Sequence, residues 1–467
     1  MATFYIDPSL TSTGDGSFET PFSSWTSVTW TAGNTYLQKE GTTYVGTIAP
    51  TTNGTSTARI LIGVYDLAGN SVTDGSKTAT IRSNVDEDCI NLARSGSRSY
   101  FDIIGLNLYQ GGRSGATLYH AIHARAAFEN TTRSITIKYV KMSGLGGPTL
   151  NARGIGYTIT HCEIFDFYDD GMKLETANTE VAYCKIYRPQ SISSGGTSNS
   201  DCLEIKSQTG TDLGFAWIHH NYFENLQVNN LKQCIILQDL TRASGVGNFI
   251  VEDNILVGGG GASIFTNFDN TIIRRNLIIN PEKVALAAGG VGHLFYSNVV
   301  ECRFLVVLNN NDTSLSIIGN TIKKANSRLV SITDGVTGCS IVYKNNVALS
   351  VGAEDTAART HYLGASNTLT ANTNAYPTSP PPFTIGGVLY DTYAEYQTAT
   401  SQDLASITDN PVLDYYSRPR STSPLLGIGT FISQLGDMDG RLRNNPPSIG
   451  AYEYVAERGD AGTRGSR

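Results

Sequence analysis

The sequence predicts an all-β protein, a single-stranded, right-handed parallel β-helix with turns of about 22 residues. Three observations predict it. A short motif, apolar-x-x-Asn-x-apolar, recurs as IHHNYF, VEDNIL, IRRNLI, FYSNVV, IGNTI and VYKNNV. Its asparagines keep a period: from Asn254 through Asn276 and Asn298 to Asn320 each step is 22 residues, and the next, to Asn345, is 25. The composition suits stacked short strands, with 48 Gly, abundant Val, Ile, Asn, Ser and Thr, and only 16% charged residues.

The frame runs upstream through Asn221 to other residues at the Asn position: Leu106, Val140, Cys162 and Cys184. Three residues before that position come Ile103, Ile137, Ile159, Val181, Ile218, Val251, Ile273, Phe295, Ile317 and Val342. Two residues after it come Leu108, Met142, Ile164, Ile186, Phe223, Leu256, Ile278, Val300, Ile322 and Val347. Leucine-rich repeats share the period but need L-x-x-L-x-L, which is absent. In a β-helix, like stacks on like, and stacked Asn side chains hydrogen-bond along the axis.

A chain of 467 residues suggests about two or three globular units, but the repeat argues for one long body. Net charge is −7 and no Lys/Arg run occurs, which argues against nucleic acid as a partner. No apolar stretch reaches the length of a membrane span. The opening MATFYIDPSL lacks a basic region followed by an apolar one, so no signal peptide is expected. Seven cysteines without C-x-x-C pairs read as small apolar core residues.

In chain order, a capping segment and the repeats form a β-helix over 1–349. Residues 350–454 break the period, contain the Pro-rich YPTSPPPF, and are expected to pack as an irregular segment on the helix. The Gly/Arg-rich 455–467 is expected to be a disordered tail. FYIDPSLTSTGDGSFETPFSSW and TAGNTYLQKEGTTYVG at the start resemble the opening of pectate-lyase-like β-helix proteins. The close, SPLLGIGTFISQLGDMDGRLRNNPPSIGAYEY, resembles that superfamily's C-terminal signature, through Ser423-Pro424, Asp437, Asp439-Gly440-Arg441 and Ile449 to Glu453. The superfamily includes polysaccharide lyases, hydrolases, epimerases and phage tailspike depolymerases. The resemblance therefore implies a carbohydrate-active protein, extracellular or virion-associated, and a homotrimer if it is a tailspike.

Three steps exceed the period: Leu106 to Val140, Cys184 to Asn221 and Asn221 to Asn254. The surplus falls in loops such as RPQSISSGGTSNS, TGTDLG, LQVNNLK and DLTRASGVG, and insertions in solenoids commonly wall a binding face. Within that region the strands CINLARS, AIHARAA, TLNARGI, GMKLETA, CLEIKSQ and CIILQDL align. Ile90/Leu92, Ile122/Ala124, Leu150/Ala152, Met172/Leu174, Leu203/Ile205 and Ile235/Leu237 would point inward. One outward column is then Asn91, His123, Asn151, Lys173, Glu204, Ile236; the other is Ala93, Arg125, Arg153, Glu175, Lys206, Gln238. Asp88, His120, Asp170 and Asp201 lie just before these strands, with Asp169 beside Asp170. A solvated face would pair Lys173 with Glu204 and Glu175 with Lys206. The concentration of charge beside three insertions favours an active-site groove.

The cationic strip His123, Arg125, Arg153, Lys173, Lys206 suggests an acidic polysaccharide as ligand. β-Elimination at a uronate needs its carboxylate neutralised, a base for the C5 proton and an acid for the leaving oxygen. A partly desolvated Lys beside cations can serve as base, and Lys206 with Arg153 nearby is the candidate. Glu204-Ile205 loosely resembles the E-I-x-x-K pattern of the alginate/chondroitin lyase group, but Lys206 falls two residues after the Glu and no R-H-G follows. Hydrolysis would instead use two carboxyl groups, Asp170 and Asp201 on adjacent turns, with Glu175 and Glu204 nearby. Asn151, Gln238, His220, Tyr222 and Arg242 complete the candidate substrate-binding set. Asp169, Asp170 and Asp201 could bind Ca²⁺, although no compact Ca-binding consensus is present; no other cofactor is implied. A non-catalytic carbohydrate-binding spike is the third reading, and the lack of aromatics in both outward columns speaks against it.

Overall fold

The computed structural model describes residues 1–93, 98–112, 114, 117–125, 132–190, 200–206, 214–226, 232–238, 248–352, 359–432 and 435–455. All four insertion loops named above fall wholly or mainly outside these residues, as does the tail.

Short strands stack in parallel, each over its counterpart one turn away, to form a right-handed β-helix with three faces. The first face contains Ile90–Asn91, Ile122–Ala124, Leu203–Lys206 and Ile235–Gln238. The second contains Phe101–Ile104, Phe215–His219, Asn248–Glu252 and Ile272–Arg274. The third contains Leu106–Gln110, Lys141–Gly144, Tyr222–Asn225 and Ile255–Gly258. Leu150–Thr160 and Met172–Ala182 run unbroken from the first face into the second. At the N-terminal end, Thr3–Ile6, Thr35–Lys39 and Ile60–Tyr65 continue the second face, with Trp25, Trp30 and Tyr36 packed together in the core. Among the described residues no helix is long and apolar enough to cross a membrane.

The twelve inward residues expected on the first face are all fully buried, as are the flanking residues of the Asn frame up to Ile322. Alternation along a strand leaves no choice here, because a one-residue slip would turn every apolar side chain to solvent. All seven cysteines are unbridged and buried, as small core residues are.

The Asn position forms a continuous ladder between the second and third faces. Each Asn side-chain oxygen accepts the backbone N–H of the previous Asn, and each amide donates to the next: Asn254 to Asn276 at 3.0 Å, Asn276 to Asn298 at 3.1 Å, Asn298 to Asn320 at 3.0 Å. The expected last rung was off by one. Asn320 pairs with Asn346, not Asn345, and the ladder runs on to Asn374 and ends on Asp403. In that turn Tyr343 and Ala348 therefore point inward, rather than Val342 and Val347. The VYKNNV segment offers two adjacent asparagines, and Tyr343 is the inward side chain that an aliphatic-only frame overlooks.

The residue before each rung is left-handed. Gly105, Tyr139, His161, Tyr183, His220, Asp253, Arg275, Ser297, Gly319, Asn345 and Thr373 have φ from 52° to 75°. For a non-glycine this costs about 1–2 kcal/mol, comparable to the ~1 kcal/mol of each ladder hydrogen bond. The corner persists because breaking it would strand buried amides without partners.

Parallel stacking passes the expected boundary at residue 349, since Thr368–Asn372 pairs with Ser340–Lys344 and His361–Tyr362 stacks on the first face. Tyr393–Thr400, a helix with a Thr392/Glu395 capping box, follows. The C-terminal segment returns along the left-handed corner: Asn345 Nδ2 donates to Thr430 O at 2.7 Å, and Arg443 bonds to Ser297 and Gly450. Buried Asp437 receives the N–H groups of Asp439, Arg441 and Glu453.

Candidate functional site

Pairing across the first face follows the expected register: Asn91, His123, Asn151, Lys173, Glu204 and Ile236 are successive partners. Beyond Ile236 the column meets Phe265 and then Ala287, so an aromatic does occur one turn past the segment considered. In the second column Arg153 partners Glu175, and Lys206 partners Gln238.

The ion pairs differ in part from expectation. Lys173 Nζ does meet Glu204 Oε2, at 2.7 Å. Glu175 is not paired with Lys206. It is gripped by two arginines, with Arg125 at 2.9 Å and Arg153 Nε at 2.6 Å. Lys206 turns to Glu204 Oε1 instead, at 2.5 Å. The forked guanidinium of Arg matches a carboxylate through two donors, which a Lys cannot do. The charged group against Lys206 is thus an anion, not the cation expected beside it.

Beneath the charged tips, two positions before the first inward residue of the strand, lie the buried polar residues Asp88, His120, Asp170, Asp201 and Gln233, interrupted by Pro148. Asp88 Oδ1 accepts the N–H of His120 at 2.7 Å, Asp170 Oδ1 that of Asp201 at 3.2 Å, and Asp201 Oδ1 that of Gln233 at 2.6 Å. Burial, with Glu204, Asp201 and Asp169 nearby, pushes the Asp170 carboxyl well above the usual carboxylate range. Burial likewise lifts Asp201 to about 7, against the lowering effect of the Gln233 N–H. Glu204 goes the other way: burial raises it, but Lys173 and Lys206 together hold it below its ordinary value. Lys173 is desolvated too, yet Asp170 and Glu204 keep it firmly charged. Neighbouring acids whose environments push them apart are the arrangement that general acid–base chemistry uses.

Exposure sorts these groups into two layers. The side chains of Arg125, Lys173 and Lys206 are 36%, 23% and 20% exposed, whereas those of Glu175 and Glu204 are 4% and 6%.

Two of the candidates lie elsewhere. His220 occupies the left-handed corner and Tyr222 the third face, so neither joins Lys206. His220 belongs instead to an outward stack of rings, Tyr139, His161, Tyr183, His220, with centroids 4.9–5.0 Å apart. His219 is buried, bonded to Glu180 and stacked on Trp217. Arg242 lies outside the described residues.

Two features were not assigned from the sequence. Lys232 is buried beside Asp201, and burial lowers its ammonium below the usual lysine range. Its position three residues before Ile235 puts it in the same stacked row as Asp169, a placement the frame could have supplied. The second is a grouping of metal-ligand atoms. Among the described residues it falls on Asp88, His120 and His123, not on Asp169, Asp170 and Asp201.

No family model matches the chain, and no curated protein matches it significantly. Solved structures do. A complex of XylC with xylose is similar over 97% of this chain and 98% of its own, at 11% identity and a TM-score of 0.54. The A-module of the Azotobacter vinelandii mannuronan C-5 epimerase AlgE4 is similar over 73% and 91%, at 13% identity and a TM-score of 0.49. Pectate lyase Pel9A is similar over 97% of both chains, at 14% identity and a TM-score of 0.41. At these identities the likeness shows the fold alone, a parallel β-helix.

Proposed function

We propose that this protein is a polysaccharide depolymerase whose first face cleaves an acidic, uronate-containing chain by β-elimination. The observation that carries the reading is the layering of the site, with solvent-reaching cations over buried carboxyls on one stretch of one face. A linear polyanion lying along the stacked turns meets Arg125, Lys173 and Lys206 in succession, about 4.8 Å apart per turn. Arg125 and Lys173 neutralise uronate carboxylates, which acidifies the C5 proton. Arg153, clamped by Glu175, adds positive field behind them. Once the ligand displaces it from Glu204, Lys206 releases its own proton to solvent and, as the free amine, takes the C5 proton. The C5–H electron pair becomes the C4=C5 double bond, the C4–O bond breaks, and the leaving oxygen takes a proton from a carboxylic acid. Asp201, raised to about 7, is suited to hold that proton near neutrality.

A hydrolase is the second reading, favoured by one observation: Asp201 and Glu204 are displaced in opposite directions, as an acid and an ionised carboxylate would be. The two are separated by incubating the protein with a panel of acidic polysaccharides, sizing the products and recording ultraviolet absorbance. Elimination leaves an unsaturated uronate that absorbs. Shortened chains without that absorbance would assign the reaction to Asp201 and Glu204. No shortening of any acidic glycan would leave a binding spike on this fold.

A further inference from the structure

We propose that Asp88, His120 and His123 form a binding site for a transition-type divalent cation of the Zn²⁺ class, at the N-terminal end of the first face. The proposal is independent of the depolymerase reading, since it concerns binding alone.

One ligand atom from each of the three residues lies within 4.8 Å of the others. The residues come from two adjacent turns, Asp88 below and His120 and His123 above, with the imidazole rings 4.6 Å apart. Tetrahedral zinc with bonds of about 2.0–2.1 Å spaces its ligands about 3.4 Å apart, so the group must close by at most about 1.4 Å. His123 can supply that movement, being 27% exposed and held only at 3.2 Å from Asp88 Oδ2 in this structure.

The surroundings are those of an oriented ligand set. His120 Nδ1 lies 2.6 Å from the Pro148 carbonyl oxygen, an acceptor, so Nδ1 carries the proton and Nε2 keeps its lone pair. A ring N–H donated to a backbone carbonyl is how metal-bound histidines are fixed in orientation and tautomer. Asp88 is positioned by the His120 N–H at 2.7 Å and by Asn91 Nδ2 at 2.6 Å. Those contacts leave lone pairs on both oxygens.

An independent observation points into the same place. Asn151, only 4% exposed, sits on the next turn with Nδ2 3.3 Å from His120 Nε2, and its Oδ1 is buried with no hydrogen-bond partner. An orphaned buried amide oxygen costs about 1–3 kcal/mol. A cation on Nε2 removes the cost, because a half-turn of the amide brings Oδ1 to the metal as a fourth ligand. Two imidazoles with a carboxylate and an amide oxygen suit Zn²⁺ or Co²⁺, whereas Ca²⁺ and Mg²⁺ take oxygen-only shells.

The test uses the full chain, stripped with chelator, dialysed and titrated with Zn²⁺ by calorimetry and with Co²⁺ by visible absorption. One Zn²⁺ per chain and Co²⁺ ligand-field bands are expected. His123→Ala and Asp88→Asn should each weaken Zn²⁺ by about 100-fold or more and abolish the bands. His161→Asn, at the far corner, should change neither, and melting curves check that the variants are folded. Absence of saturable Zn²⁺ uptake overturns the proposal. So does uptake that survives both substitutions, or Ca²⁺ binding more tightly than Zn²⁺.

Discussion

Lys206 Nζ lies 2.5 Å from Oε1 of Glu204, two residues back on the same strand, while the other oxygen of Glu204 lies 2.7 Å from Lys173 on the preceding turn. One buried carboxylate therefore holds both Lys173 and Lys206. If Lys206 is the base, Lys206→Ala should lower kcat by ~10² or more while the fold stays intact. Lys206→Arg should not restore the rate, since a guanidinium does not give up its proton. A loss of only a few-fold in the Ala variant would make Lys206 a counter-ion and nothing more.

Arg125 reaches further into solvent than the other cations of the strip and also binds Glu175 at 2.9 Å. Arg125→Ala should raise KM for an acidic polysaccharide several-fold while kcat holds. The wild-type KM should rise with ionic strength, and the variant's should rise less steeply. Equal salt dependence in both proteins would remove Arg125 from the binding strip.

The raised Asp201 carboxyl makes a stability prediction whose sign is fixed. Its folded value is about 7 against an ordinary 3.8, so between those limits the native state binds more protons than the unfolded chain. Stability from this group is then lost as pH rises through that window, by at most about 1.4 kcal/mol per pH unit. Carboxylates held low elsewhere, such as Glu252 and Glu163, act in the opposite sense. The readout is therefore the difference between wild type and Asp201→Asn. Denaturant unfolding from pH 4 to 7 should show the variant gaining on the wild type as pH rises. A constant difference would mean that Asp201 ionises normally.

Asn298 accepts the N–H of Asn276 and donates to Asn320 Oδ1 and to the Ile273 carbonyl. Asn298→Leu should lower unfolding free energy by roughly 1–3 kcal/mol, because buried partners are left unmet. An unchanged denaturation midpoint would show that the ladder contributes nothing net.

Asn345 is tied to Thr430 in both directions, its Nδ2 donating to Thr430 O and its Oδ1 accepting Thr430 N–H at 2.9 Å. It also has a φ of 58°, which Asn tolerates better than most residues. Asn345→Ala should loosen the C-terminal return, read as faster limited proteolysis near Thr430 with the ladder's protection from hydrogen exchange retained. Cutting at the wild-type rate would place the anchor elsewhere, with Arg443 the next residue to test.

The repeat, the inward stacks and the paired columns of the first face were all legible in the sequence. The reason is physical: a solenoid makes every contact one turn away, so a constant spacing in sequence becomes a constant neighbour in space. That logic alone brought His123, Asn151, Lys173 and Glu204 into one column. It faltered at VYKNNV, where two asparagines competed for one rung and only the hydrogen bonds of Asn320 selected Asn346. It also could not tell which of several charges within reach would pair. Glu175 took two arginines and left Lys206 to Glu204, a choice made by side-chain length and fork geometry. His220 and Tyr222 looked close to the groove in sequence, yet a left-handed residue at the corner turns them onto another side of the solenoid. The displacement of Asp201 from Glu204, the burial of Lys232 and the gathering of Asp88, His120 and His123 came only from the tertiary structure. Proton affinity and ligand reach depend on burial and on ångström distances between turns, and sequence spacing carries neither.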